Sequence, residues 1–121
     1  MPWLLRDGEV LASLEVATSH RDRARGLLGR DGFDGALLLE RTRSVHSLGM
    51  SFPIDVAFCD DALVVLKTLR LRPHRVTLPV WRANLVLEAE AGAFARWSLC
   101  PGDQLELRDG AGDDADLEGY R

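Results

Sequence analysis

Cysteine is scarce in this chain: Cys59 and Cys100 are its only two. That number excludes a small secreted scaffold stapled by disulfides, and both thiols are expected to be reduced and partly buried. Lysine is scarcer still, with Lys67 alone among 14 arginines. Long apolar runs are missing too, so no segment is expected to span a membrane. The opening Met1-Pro2-Trp3-Leu4-Leu5-Arg6-Asp7 lacks a basic start followed by an apolar stretch, so no secretory signal is expected and a cytoplasmic location is predicted. Motifs with a known mechanism are absent as well. There is no GxGxxG after a strand, no P-loop, no GxSxG elbow, no HExxH and no paired CxxC. His20, His46 and His74 show no metal-ligand spacing. Neither a cofactor nor a metal is therefore expected.

What is present describes an ordinary globular domain. The 121 residues are 46% hydrophobic and 28% charged, enough for one domain with a core of its own. The net charge of −4 is unevenly placed. From Asp109 onward, Asp109, Asp113, Asp114, Asp116 and Glu118 face only Arg121, so this tail holds the whole −4 and residues 1–108 are neutral. A neutral body argues against nucleic acid as a partner. The near-exclusive use of arginine suits bidentate binding of carboxylates and phosphates, although so even a spread needs no functional cause. Residues 109–121 are Gly- and Asp-rich and are expected to form a disordered acidic tail behind a single domain spanning 1–108.

Periodicity gives mostly strands. Residues 3–6 and 10–17 read as a hairpin around Asp7-Gly8, with Val10, Ala12, Leu14 and Val16 on one face. Ser19 and Asp22 open a short helix that Gly29 closes. Ala36–Leu39 is a compact apolar run. Ser44–Met50 and Ile54–Cys59 read as two extended segments joined through Ser51-Phe52-Pro53. Asp60-Asp61 marks a turn before a strand over Ala62–Arg70. Pro73 and Pro79 mark a loop over Arg72–Pro79. In Trp81–Glu90, alternation places Leu85, Leu87 and Ala89 inward and Asn84, Glu88 and Glu90 outward. Ala91–Leu99 reads as a second short helix carrying Phe94 and Trp97, and Gln104–Arg108 as a last strand. The fold class is mainly β (α+β): a small sandwich or open barrel of short, mostly antiparallel strands with two short helices.

Three blocks carry a family resemblance. They are Arg23-Ala24-Arg25-Gly26-Leu27-Leu28-Gly29-Arg30, then Val45-His46-Ser47-Leu48-Gly49-Met50 leading into Phe52-Pro53-Ile54-Asp55-Val56-Ala57-Phe58, then Leu85–Gly92 followed by Pro101-Gly102-Asp103. In order and spacing the chain resembles the bacterial and archaeal domain-of-unknown-function family numbered 192 over about residues 8–108. The resemblance implies a small mainly-β fold of sandwich or open-barrel type, and no established activity. Many members of that family are exported and join the histidine–methionine segment to the aspartate strand through a longer polar connection. Here the connection is only Ser51-Phe52-Pro53.

Residues 43–59 hold the most informative chemistry. Asp55 lies within Ile54-Asp55-Val56-Ala57-Phe58, on the strand face it shares with Ala57 and Cys59. A part-buried carboxylate needs a partner: an arginine, backbone amides or His46. His46, Leu48 and Met50 share a face of the preceding segment, and a one-residue change of register decides whether His46 meets Asp55. Two functions fit. The preferred one is a module binding a small molecule or peptide in a cleft lined by Arg43, His46, Met50, Phe52 and Asp55, with neither nucleic acid nor membrane as partner. The alternative is a hydrolase or isomerase using Asp55 and His46 as an acid–base pair, which requires the two within hydrogen-bond reach. An anion clamp from Arg41, Arg43, Arg72 and Arg75, and a metal site from His46, Asp55 and His74, are weaker alternatives.

Overall fold

The computed structural model describes residues 2–17 and 34–109, so the helix expected from Ser19 to Gly29 and nearly all of the acidic tail lie outside the described residues. The chain opens on the expected hairpin. Strands β1 (Pro2–Arg6) and β2 (Glu9–Ala17) pair antiparallel, Arg6 opposite Glu9. Asp7 and Gly8 both take left-handed backbone angles, φ 53° and 81°, as a two-residue turn between right-twisted strands demands.

Strand β3 (Ala36–Glu40) runs parallel to β2, and β6 (Leu85–Glu90) lies antiparallel on its other side. Strand β4 (Ile54–Cys59) pairs with both β6 and β5 (Val65–Leu71), and β7 (Leu105–Asp109) pairs with β1. The result is one mixed seven-stranded sheet in the order β5-β4-β6-β3-β2-β1-β7. It is not closed, but it curls. A bridge between Val64 and Gln104, with Val65 N–H donating to the Asp103 carbonyl at 2.9 Å, joins the two edge strands at one end.

Both faces of this sheet are covered. The inner core takes Leu4, Leu14, Leu38, Ala57, Val65, Leu87 and Leu105, one from each strand. The helix α1 (Ala93–Trp97) adds Ala93 and Phe94 to it, and the Phe94 and Trp97 rings stand 5.6 Å apart. The outer core sets Leu37, Leu39, Ile54, Val56, Phe58 and Val86 against Val45, Met50 and Ala83.

The structure departs from the sequence reading at four points. Glu88 was expected to face solvent. It lies instead on the central strand β6, whose outer face is also packed, and it is buried. Ser44–Met50 does not pair with β4, because β5 and β6 already occupy both edges of that strand. The second helix is five residues long rather than nine, since Ser98 leaves the helix with φ 53°. At the C-terminal end, Asp109 is the last residue of β7, paired with Pro2, rather than the first of the tail. Among the described residues no helix is long and apolar enough to cross a membrane.

Candidate functional site

Asp55 is buried, and both its oxygens are engaged. Register places Arg70 of β5 directly opposite, and the Arg70 Nε donates to Oδ1 at 3.1 Å. Oδ2 accepts from the backbone N–H of Gly92 at 3.0 Å and of Phe94 at 3.1 Å. The carboxylate thus ties β4 to β5 and to the start of α1. A shallow cleft of about 270 Å³ lies beside it, lined by Thr68, Leu69, Arg70, Phe94 and Ala95. These are the arginine and the amides that the buried carboxylate required. His46 is not among its partners.

The histidine belongs to a different structure. Residues 43–50 run antiparallel to residues 72–81 and form an irregular strap over the outer face. Val80 N–H donates to the Arg43 carbonyl, Thr77 N–H to Val45, and Ser47 N–H to Arg75, at 2.8–2.9 Å. His46 and Val76 form an isolated bridge. Ser47 pins the strap: its fully buried hydroxyl donates to the Arg72 carbonyl and accepts from the Arg75 N–H at 2.9 Å. The two histidine side chains cap the turn at its end. His46 Nδ1 accepts from Leu48 N–H at 3.2 Å, and His74 Nδ1 from Gly49 N–H at 3.3 Å.

Seen from its inner side, the strap is core. Val45 and Met50 are buried in the outer core, and Phe52 and Val80 pack against it. The outer side exposes Arg43, Arg72 and Arg75. The Arg43 guanidinium donates to the Trp81 carbonyl at 3.2 Å. Among the sequence candidates, then, Arg43, His46, Met50 and Phe52 gather around the strap, while Asp55 points into the opposite core. The pairing required for acid–base chemistry between His46 and Asp55 is not formed. No group of three or more metal-ligating side chains occurs among the described residues, and His46, Asp55 and His74 do not make one.

A second cleft, of about 370 Å³, opens at the end of the curled sheet remote from α1. Leu38, Leu63, Leu85 and Leu107 line it, together with Glu40, Arg41, Asp61 and Asn84. The Asn84 amide donates to Asp61 Oδ1, and Asp60 holds the adjoining turn by accepting from the N–H groups of Ala62 and Val64 at 2.9 and 3.0 Å. Arg41 and Leu63 both have left-handed backbone angles, φ 52° and 65°. For a residue as large as leucine this conformation costs about 1–3 kcal/mol and is rare away from functional loops. Sequence reasoning missed this cleft. Its leucines are indistinguishable from core residues, and the one available signal was polar Asp61 and Asn84 flanking apolar stretches.

Two buried groups have displaced proton affinities. Burial pushes the Glu88 carboxyl up to about 7, and its Oε1 has no hydrogen-bond partner among the described residues. Burial, with a smaller contribution from the charge of Asp60, pushes the Cys59 thiol up to about 12. Cys59 is buried as expected, but Cys100 is exposed, because it sits in the turn after α1 rather than in a strand.

The family model described as "Uncharacterized ACR", domain-of-unknown-function family 192, matches residues 4–107. The chain belongs to DUF192. Two solved structures share its fold. One, a protein of unknown function from Novosphingobium aromaticivorans, is 22% identical with a TM-score of 0.74, over 87% of this chain and 82% of that one. The other, from Sinorhizobium meliloti and described as a proposed transcription regulator, is 24% identical with a TM-score of 0.74, over 88% of this chain and 91% of that one. No curated protein matches the chain. At these identities the likeness is one of fold. Within the block of residues 45–58, Ser47 and Met50 build the strap, and Asp55 ties β4 to β5 and to the start of α1. In this DUF192 member the short Ser51-Phe52-Pro53 connection carries the chain directly from the strap into β4.

Proposed function

We propose that this protein is a binding module for a small molecule with an apolar body and hydrogen-bond donors at one end, held in the cleft of Leu38, Leu63, Leu85 and Leu107. The observation that carries the reading is the composition of that cleft: an apolar floor with a few polar groups converging at its rim. Its volume of about 370 Å³ suits a small ligand, and the mouth of a curled sheet is a usual place for one. Glu40 and Asp61 offer acceptors at the rim, which favours amine, amide or hydroxyl donors over a second carboxylate. The left-handed Arg41 and Leu63 support the same reading, since strain held in place by a fold concentrates at binding loops. Binding is favoured over catalysis because the carboxylate best placed for chemistry, Asp55, already spends both oxygens on Arg70, Gly92 and Phe94.

The test is a fragment panel of amines, amides and alcohols on apolar rings, read by amide chemical shifts of the isotopically labelled protein. Saturable shifts at Glu40, Arg41, Asp61 and Asn84 that weaken in Asn84→Ala support the proposal. Shifts clustering elsewhere, or none across the panel, reject it.

A further inference from the structure

The outer side of the strap has a composition found nowhere else among the described residues. Leu78 is 84% exposed, Trp81 75%, Val76 65% and Leu48 48%. Between them stand Arg43, Arg72, Arg75 and Arg82, all exposed. Neither 43–53 nor 72–82 contains an aspartate or glutamate. Since residues 1–108 are neutral overall, these four arginines stand against a net −4 on the remainder of that stretch.

We propose that the strap docks on the surface of an anionic lipid bilayer, with Leu78 and Trp81 entering the interface and the arginines lying among the headgroups. The charge is complementary to a surface of anionic lipid. The apolar groups are suited as well. A tryptophan favours the boundary between headgroup and chain, and a leucine favours the apolar layer beneath it. The layering favours lipid: a belt of arginines on the same surface as an exposed tryptophan and leucine matches anionic headgroups lying over an apolar layer. This contact is peripheral and requires no spanning segment, which is why hydropathy gives no sign of it.

The experiment is co-sedimentation of the full chain with vesicles of phosphatidylcholine alone and of phosphatidylcholine mixed with phosphatidylglycerol. The proposal expects binding to the mixed vesicles only, weakened by salt. It expects a loss of roughly fivefold for each of Arg72→Ala, Arg75→Ala and Arg82→Ala. Leu78→Ser combined with Trp81→Ser should abolish binding while circular dichroism shows the fold retained. Mixed vesicles left unbound at low salt by the folded protein overturn the proposal. So does binding that survives the Leu78→Ser, Trp81→Ser pair, or equal binding to duplex DNA or poly-glutamate, which would mark a general polyanion patch or an acidic protein partner. This surface is separate from the leucine-lined cleft, so either proposal can fail without the other.

Discussion

Asp55 and Arg70 face one another across β4 and β5 with a nitrogen–oxygen distance of 3.1 Å, yet one is buried and the other half exposed. The two partners therefore contribute unequally. Truncating Arg70 removes a solvent-screened contact worth about 0–1 kcal/mol. Truncating Asp55 leaves the Gly92 and Phe94 amides without an acceptor, at about 1–3 kcal/mol for each buried donor. Urea unfolding should show Arg70→Ala within about 1 kcal/mol of wild type and Asp55→Ala lower by roughly 3 kcal/mol or more. Equal losses in the two variants would contradict this division.

Glu88 gives the protein an unusual pH dependence. Its carboxyl holds a proton up to about pH 7 in the folded state, against an ordinary value of 4.5. The native state thus binds the extra proton between those limits, and the contribution of this group to stability falls as pH rises. It is fully present below about 4.5 and lost above about 7. The shift corresponds to about 3 kcal/mol. Glu88→Gln, which keeps the shape and never ionises, should gain stability relative to wild type between pH 5 and 8, measured by unfolding at each pH. A constant difference across that range would mean that Glu88 has an ordinary affinity for protons.

Ser47 joins the two limbs of the strap with a single hydroxyl. Ser47→Ala should leave the sheet intact and accelerate amide exchange at residues 45–50 and 72–77, with a loss of about 1–2 kcal/mol in global stability. Exchange that quickens uniformly across all strands would show that the strap unfolds only with the whole molecule.

The two thiols should differ sharply in reactivity. Cys100 is exposed, whereas Cys59 is buried with its proton affinity raised to about 12. Ellman's reagent at pH 8 should titrate one thiol quickly and the second only at the rate of unfolding, and Cys100→Ser should abolish the fast phase. Two fast thiols would contradict the packing of β4 between β5 and β6.

Local chemistry was legible in the sequence, and partner choice was not. Asp7-Gly8 announced the first hairpin because few dipeptides accept two left-handed angles. Asp55 announced a buried carboxylate because apolar residues surround it, and an arginine and amides were among its foreseen partners. Alternation then misled at Glu88, because the rule assumes one wet face and β6 has none. The same limit applied to residues 44–50. Their extended character could be read, but the occupation of both β4 edges is a property of the assembled sheet. Chain order also hides the strap, which pairs Arg43 with Val80 and Ser47 with Arg75. The left-handed angles at Arg41 and Leu63 have no sequence signature, since neither residue type favours them.

Strand β1 lies between β2 and β7, so one of its edges is completed by the last segment of the fold to be made. During synthesis from the N-terminus, Pro2–Arg6 can pair with β2 early, while its other edge waits for Leu105–Asp109. Until those residues leave the ribosome, the backbone donors and acceptors on that edge, beside Trp3, can be captured by any passing strand. A message truncated just before residue 105 would therefore yield a chain prone to stick to its own copies, even with most of the sheet already encoded.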